Sequence, residues 1–310
     1  MAGGQERILR RRIRSVQSTK KITRAMELIA ASRIVRAQAR VEAAVPYSDQ
    51  ITEVVHDLAD AGGAVESPLL VPRPEIRSVG HIVITADRGL CGGYNSAAIK
   101  AAEELAALLR SQGKETVLYV VGRKGLGYYN FRNRPVAQSW TGFSERPTYA
   151  DAERATEAIL PSFIVGSAGS TEDGTAGIDE IHLVSTHFVS MITQRPQARR
   201  MAPMEIEYVD HDPTNEFPPL YEFEPSSDLL LDEMLPKYLK TRIYAALLDA
   251  AASESAARRA ACKAATDDAN DIIRNLSRQA NQARQAQITQ ELSEIVGGAD
   301  ALAAANAEED

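Results

Sequence analysis

Hydrophobic residues recur every three or four positions along the first 45 residues of the chain. This spacing predicts an amphipathic helix from Arg7 to about Val45. The apolar stripe drifts along the helix, which favours wrapping around a partner helix in a coiled coil without a strict heptad. An amphipathic helix lying on its own domain is the open alternative. The stripe consists of Leu9, Ile13 and Val16, then Ile22, Met26 and Ile29, then Ile34, Ala37 and Val41.

A second helical pattern covers residues 237–296, with twelve alanines between Ala245 and Ala269. Sixty helical residues span about 90 Å, so this segment must project or pair with another helix. All fourteen prolines lie between Pro46 and Pro236, which leaves both ends of the chain free to form unbroken helices. The carboxy-terminal stripe continues through Ile272, Leu276, Ala280 and Ala283 to Ile288, Leu292 and Ile295, and predicts a buried face.

The central part of the chain alternates β-branched apolar runs with helix-like segments. Val79 to Thr85 and Thr116 to Val121 are typical of buried strands, and helical sequence follows each of them at 95–112 and 123–133. This βαβ pattern predicts a small parallel or mixed α/β sheet. We predict further strands at 136–143, 180–188 and 201–209, a helix at 149–165, and loops at 68–75 and 166–179.

The loop at 166–179 reads GSAGSTEDGTAGID and contains four glycines and no cation. Such a segment buries too little apolar surface to offset the entropy lost on ordering. We therefore predict a flexible insert between a helix and a strand.

Charge is distributed unevenly. Residues 1–45 carry eleven Lys and Arg against three acids, whereas residues 46–236 carry fifteen against twenty-eight. A basic helix can meet nucleic acid, an anionic membrane or an acidic protein surface, and charge alone does not choose among them. No aromatic residue precedes Tyr47 or follows Tyr244, which predicts slender helical ends packed by aliphatic side chains.

The turn from Thr85 to Asn95, TADRGLCGGYN, follows a predicted strand but lacks the glycine spacing of a dinucleotide site. No P-loop, H-E-x-x-H or G-x-S-x-G motif occurs, and the five histidines are scattered. Cys91 and Cys262 form neither a CxxC pair nor a metal cluster. The sequence thus indicates no cofactor, metal or catalytic site of its own. Without a leader or an apolar run of 18 residues, we expect a cytoplasmic chain, with association at a membrane surface left open.

The segment from Ile288 to Ala301, ITQELSEIVGGADA, resembles the signature of the γ subunit of F-type ATP synthase. Four more segments are similar to that family and occur in the same order. They are IRSVQSTKKITRAMELIAASRIVRAQ at 13–38, TADRGLCGGYN at 85–95, YEFEP at 221–225 and ASESAARRAACKAATDDA at 252–269.

The resemblance implies a long antiparallel coiled coil of the amino- and carboxy-terminal helices plus a central Rossmann-like α/β domain. The expected boundaries are 1–60 for the first helix, 75–212 for the α/β domain and 226–310 for the second helix. It also implies a rotor without catalysis, one copy per complex, whose coiled coil stands in an α3β3 hexamer. The α/β foot would lie beside ε on the c-ring at the cytoplasmic face of the membrane. The alternative is a coiled-coil nucleic-acid-binding or tethering protein with an α/β module.

Matching positions then give the expected contacts. The resemblance implies contact between shaft and hexamer at Met26, Arg284, Gln285, Thr289 and Glu294, and contact with the ring at Tyr221. A core position in the coiled coil is the open alternative for Met26. From the charge pattern we add the hypothesis that Arg10, Arg11 and Lys21 attract acidic loops of the stator. The 166–179 loop is longer than the family pattern. It is either an ordinary surface loop or a segment that reaches a neighbouring subunit.

Overall fold

The structure is a computed structural model that describes residues 2–61, 67–204, 224 and 226–307. It divides into two compact units. Unit 1 comprises Met1–Ile29 and Ala261–Asp310, and unit 2 comprises Ala30–Ala260. The helices are α1 (Ala2–Ala61), α2 (Tyr94–Ser111), α3 (Arg123–Phe131), α4 (Tyr149–Val165) and α5 (Ser227–Ala307). The strands are β1 (Ser78–Ile84), β2 (Glu115–Val121), β3 (Gln138–Trp140), β4 (Glu180–Phe188) and β5 (Gln194–Ala202).

Unit 2 contains a five-stranded sheet in the order β3-β2-β1-β4-β5. The first four strands are parallel, and β5 pairs antiparallel with β4. The α/β prediction is therefore confirmed, and α4 and β4 have the predicted bounds. A strand predicted at 201–209 was wrong: β5 ends at Ala202, and residues 205–209 lie outside the described part. The sequence gives β5 little apolar signal because it is rich in arginine and partly exposed.

Side chains that alternate along the strands pack on two faces of the sheet. Ile82 and Ile84 face a cluster that includes residues of α1, α4 and α5, whereas Val83 faces a smaller cluster with α2 and α3. Leu231, Leu235, Leu239 and Ile243 of α5 are fully or nearly fully buried in the larger cluster. Unit 2 is thus built in three layers, with the sheet in the middle.

Both long helices extend past the prolines at which the apolar pattern alone would end them. α1 continues through Pro46, and α5 begins nine residues before Pro236. Proline inside a helix costs about 3 kcal/mol. Packing of the segments beyond the prolines offsets this cost, since Val55 and Leu58 join the same apolar cluster as Leu235.

The ends of the 166–179 loop are fixed by a buried carboxylate. Asp179 accepts hydrogen bonds from the backbone N–H groups of Arg77 (2.8 Å), Ser78 (3.1 Å) and Ser167 (2.9 Å). Burial alone raises the pKa of Asp179, but these hydrogen bonds outweigh it and hold the pKa below its usual value. Ser170 and Ala176 form a bridge within the loop. That the loop is flexible stays a prediction.

His81 on β1 makes the stability of unit 2 depend on pH. Burial lowers the pKa of His81 to about 4, and its Nδ1 has no hydrogen-bond partner among the described residues. In the unfolded chain this histidine binds a proton near pH 6.5, so above that pH it is neutral in both states and does not lower the free energy of unfolding. As the pH falls from 6.5 to 4, the unfolded chain binds a proton that the folded chain does not, and the free energy of unfolding falls by about 3 kcal/mol in total.

We therefore predict that His81→Leu flattens the fall in unfolding free energy between pH 7 and pH 5, measured by urea denaturation. Each protein is compared with itself at the two pH values, so a uniform change in stability does not matter. Equal pH dependence in the variant and the parent chain would contradict the prediction.

Candidate partner-binding surface on the long helices

In unit 1 the two long helices pack along a regular seam. The covered positions of both helices alternate by four and three residues, which is the heptad spacing of a coiled coil. The predicted drift of the stripe was therefore wrong. The covered or half-covered positions that follow this spacing are Leu9, Ile13, Val16, Lys20, Thr23 and Glu27 of α1, and Cys262, Thr266, Ala269, Ile273, Leu276, Ala280, Ala283 and Gln287 of α5.

Small and polar side chains occupy seam positions that the sequence pattern assigned to isoleucine. Ile22 and Ile29 are 57% and 52% exposed, whereas their neighbours Thr23 and Glu27 are buried. Placing Ile22 and Ile29 on the buried stripe was thus wrong. Apolar character alone misleads here because Thr, Ala and Cys allow two helices to approach closely, and the larger residues lie beside the seam.

A pair of threonines fixes the alignment of the two helices. The hydroxyl oxygens of Thr23 and Thr266 lie 2.8 Å apart, and either can donate. The hydroxyl that does not donate to its partner donates to a backbone carbonyl, which is that of Lys20 (3.1 Å) for Thr23 or that of Cys262 (2.8 Å) for Thr266. Because both hydroxyls are buried, a shift of the helices along each other would leave polar groups without partners.

This alignment leaves the end of α5 without a partner from α1. With Thr23 opposite Thr266 in an antiparallel pair, Ala2 at the start of α1 lies opposite residue 287. Every residue from 288 to 299 is exposed. Ile288, Leu292 and Ile295 are 45%, 57% and 69% exposed, so burial of this stripe within the chain was a wrong prediction. An apolar stripe of this kind marks a surface for another molecule.

The predicted contact residues fall into separate groups. Arg284, Gln285, Thr289 and Glu294 are all exposed near the uncovered end of α5. Within that end, the Thr289 hydroxyl donates to the Gln285 carbonyl (3.0 Å) and Gln290 donates to Glu294 (3.1 Å).

Met26 lies much farther along the coiled coil and is half-buried between Thr23 and Glu27. Arg10, Arg11 and Lys21 are exposed on α1, where Arg10 pairs with Glu6 at 2.6 Å. Tyr221 lies outside the described residues. Met26 thus lies beside the seam and keeps part of its surface exposed, and its contact with a partner stays a prediction.

Sequence reasoning missed several exposed apolar residues, namely Ile8 and Leu28 beside the seam and Val296 on the uncovered end of α5. Their positions outside the heptad would have indicated them, once the heptad had been recognised. In the described part of the chain, no helix is long and apolar enough to cross a membrane, and no group of His, Cys, Asp or Glu is arranged to hold a metal ion.

Comparison with known proteins gives consistent matches over nearly the whole chain. The family model described as ATP synthase matches residues 5–302. The chain is 58% identical to the ATP synthase gamma chain of Saccharopolyspora erythraea over 98% of its own length and 99% of the relative's. It is 55% identical to the ATP synthase gamma chain of Nocardia farcinica, with 97% and 98% coverage.

The fold is similar to a chain of the Euglena gracilis mitochondrial ATP synthase, in a cryo-EM structure of its OSCP, F1 and c-ring in rotational state 3. The TM-score is 0.69 and the identity 14%, with 98% of this chain and 96% of the other covered. This likeness supports the architecture of long terminal helices with an α/β domain.

The threonine pair allows a test of the seam. We predict that Thr23→Val and Thr266→Val each lower the free energy of unfolding by about 1 kcal/mol, because each leaves a buried hydroxyl with one partner fewer. The double variant should lose less than the sum of the two single losses, since it removes both hydroxyls together. Urea denaturation of the four proteins measures this coupling.

Thr19→Val is the matched control, since the Thr19 hydroxyl is exposed and bonds only locally, to the Ser15 carbonyl. Strict additivity of the two seam variants would show that the threonine pair does not fix the alignment.

Proposed function

The chain belongs to the gamma-chain family of ATP synthases, and from that premise we propose that it is the central rotor shaft of a proton-translocating F-type ATP synthase. The shaft transmits torque between the c-ring and the catalytic β subunits and so couples proton flow to ATP synthesis. It is a non-catalytic subunit, because the chemistry takes place on β. Membership of this family argues against the nucleic-acid-binding or tethering alternative.

The observation that carries this proposal is the uncovered apolar stripe of Ile288, Leu292 and Ile295. A single helix that continues beyond its coiled-coil partner needs a surface that surrounds it. The central cavity of an α3β3 hexamer is such a surface. We place Arg284, Gln285, Thr289 and Glu294 at this contact, since Thr289 and Glu294 lie on the uncovered end and the exposed Arg284 and Gln285 lie just before it.

A rotating shaft must offer its surface to three equivalent partners in turn without binding one of them tightly. The described part of unit 1 contains no aromatic residue, and aromatic residues dominate strong interface contacts. The exposed Arg10, Arg11 and Lys21 would meet acidic stator loops through surface ion pairs worth up to about 1 kcal/mol each. Contacts of that strength can form and break at every step.

The α/β part of unit 2 forms the foot in this proposal. It would lie beside ε on the c-ring, with Tyr221 at the ring contact. The chain would thus be peripheral at the cytoplasmic face of the cell membrane, held there through the c-ring, with one copy in each complex.

The first test is recovery of the chain with a multi-subunit ATPase from membranes. We predict that Leu292→Glu lowers its retention in the complex about tenfold, because a carboxylate would be buried in an apolar contact. Retention is measured by quantifying each subunit in the purified complex. Gln290→Glu is the matched control and adds the same charge two residues away, off the apolar stripe. Equal retention of the Leu292 variant and the parent chain would contradict the hexamer contact.

A second test concerns the basic residues of α1. Replacing Arg10, Arg11 and Lys21 together by Gln should change ATP hydrolysis and coupled ATP synthesis by a few-fold, and most strongly at low ionic strength, where charges are least screened. Lys100→Gln serves as control, because Lys100 is an exposed cation on α2 in unit 2. Unchanged rates and unchanged torque at every salt concentration would exclude a role for these charges.

A further inference from the structure

Two segments that the sequence analysis singled out, 85–95 and 252–269, meet at a buried arginine in unit 2. The Arg258 side chain is only 4% exposed. Its Nη2 donates to the Arg88 carbonyl (3.1 Å) and its Nε to the Gly89 carbonyl (3.3 Å). The same Nη2 lies 2.7 Å from Oε1 of Glu254, one helical turn earlier on α5. A single guanidinium thus joins α5 to the turn that follows β1.

Glu145 connects this arginine with α1. One carboxylate oxygen of Glu145 lies 3.2 Å from Nη1 of Arg258, and the other forms an ion pair with Arg33 of α1. Burial raises the pKa of Glu254, and Arg258 opposes that rise. We call Arg258, Glu254, Glu145 and Arg33 the Arg258 clamp. Two positive and two negative groups balance within it.

The loop that carries Glu145 is itself held by Asp87. The Asp87 carboxylate accepts hydrogen bonds from the N–H groups of Gly142 (2.8 Å) and Ser144 (3.0 Å), and from that of Arg123 (3.1 Å). Burial alone raises the pKa of Asp87, but these N–H groups hold it below its usual value. The clamp therefore rests on a fixed loop at the carboxyl end of β1.

Further polar contacts attach the same stretch of α5 to the sheet. Asp249 accepts a hydrogen bond from the Phe188 N–H (2.9 Å), and Ser253 donates to the Thr186 carbonyl (3.0 Å). The buried Tyr94 hydroxyl donates to the Ala250 carbonyl (3.3 Å). Residues 249–258 of α5 are thus bound on one side to the carboxyl ends of β1 and β4.

From this geometry we propose that Arg258 is a positioning residue of the rotor, whose clamp prevents α5 from turning about its own axis against the sheet of unit 2. The inference rests on the proposed function, in which torque passes between the α/β domain and the long helices. Apolar contacts resist separation but allow sliding. A planar guanidinium with donors fixed in several directions resists rotation as well. Loss of the clamp should therefore allow α5 to twist against the sheet, so that part of each rotational step is not transmitted.

The experiment uses the complete ATP synthase in inverted membrane vesicles. Arg258→Gln and Glu145→Gln are compared with the parent for ATP hydrolysis and for ATP-driven proton pumping, each per assembled complex. We expect hydrolysis to be retained and the ratio of pumping to hydrolysis to fall by roughly threefold or more in Arg258→Gln, because a buried charged network loses its centre. A smaller fall is expected for Glu145→Gln, which leaves the contacts of Arg258 with Glu254 and the turn in place.

A rotation assay with single molecules separates the clamp from a role in folding alone. Wider angular fluctuation of a probe on the rotor, with the hexamer immobilised, is the expected result for both variants. Arg259→Gln is the matched control: Arg259 is the next residue, it contacts Met191, and its variant should keep the parent's fluctuation and pumping ratio. If Arg258→Gln does not fold, Glu145→Gln carries the test.

Two results would overturn the inference: an unchanged pumping ratio with unchanged fluctuation, or equal losses of pumping and hydrolysis per assembled complex. Failure of the parent chain to assemble with an ATPase would instead refute the proposed function, so the two outcomes are distinguishable.

Discussion

The close pairing of α1 with α5 through a narrow seam is the constraint on which the candidate site depends. Thr23 and Thr266 set the alignment, and the alignment decides which residues of α5 have a partner. In this alignment Ala2 lies opposite residue 287, and the stripe that starts at Ile288 is exposed. Its exposure is thus linked to one buried polar contact more than 20 residues away.

Much of the fold was predictable because its signals are local. The apolar residues Ile181, Leu183 and Val184 indicate β4, and Thr148 with Asp151, which form a capping box, marks the start of α4. The burial of Thr23 instead of Ile22 was not predictable in this way. Adjacent helical residues differ by only 100° around the axis, and the position of the partner helix decides which one is covered. The exposure of Ile288, Leu292 and Ile295 was not predictable either. An apolar stripe has the same sequence pattern whether its own chain or another protein covers it.

The burial of Arg258 was likewise not predictable from the sequence. Nothing local distinguishes it from Arg259, yet the first is almost fully buried among carbonyls and carboxylates and the second is partly exposed beside Met191. The difference arises from Glu145 and the turn at Arg88, which are more than 100 residues distant in the chain. Sequence motifs marked both segments as unusual, but only the fold shows that they act on each other.

The composition of the seam in unit 1 has a further physical consequence. Burying a leucine or isoleucine side chain contributes about 1.5–3 kcal/mol, whereas alanine and threonine contribute much less. With Thr, Ala, Cys and Glu at central seam positions and Ile8, Ile22, Leu28 and Ile29 facing outward, the coiled coil gains less from its own pairing than its apolar content allows. Ile8, Ile22, Leu28 and Ile29 thus remain available for surfaces outside the chain. Under the proposed rotor function, these apolar side chains would face the surrounding hexamer, and that contact would supply part of the stability of the slender pair of helices.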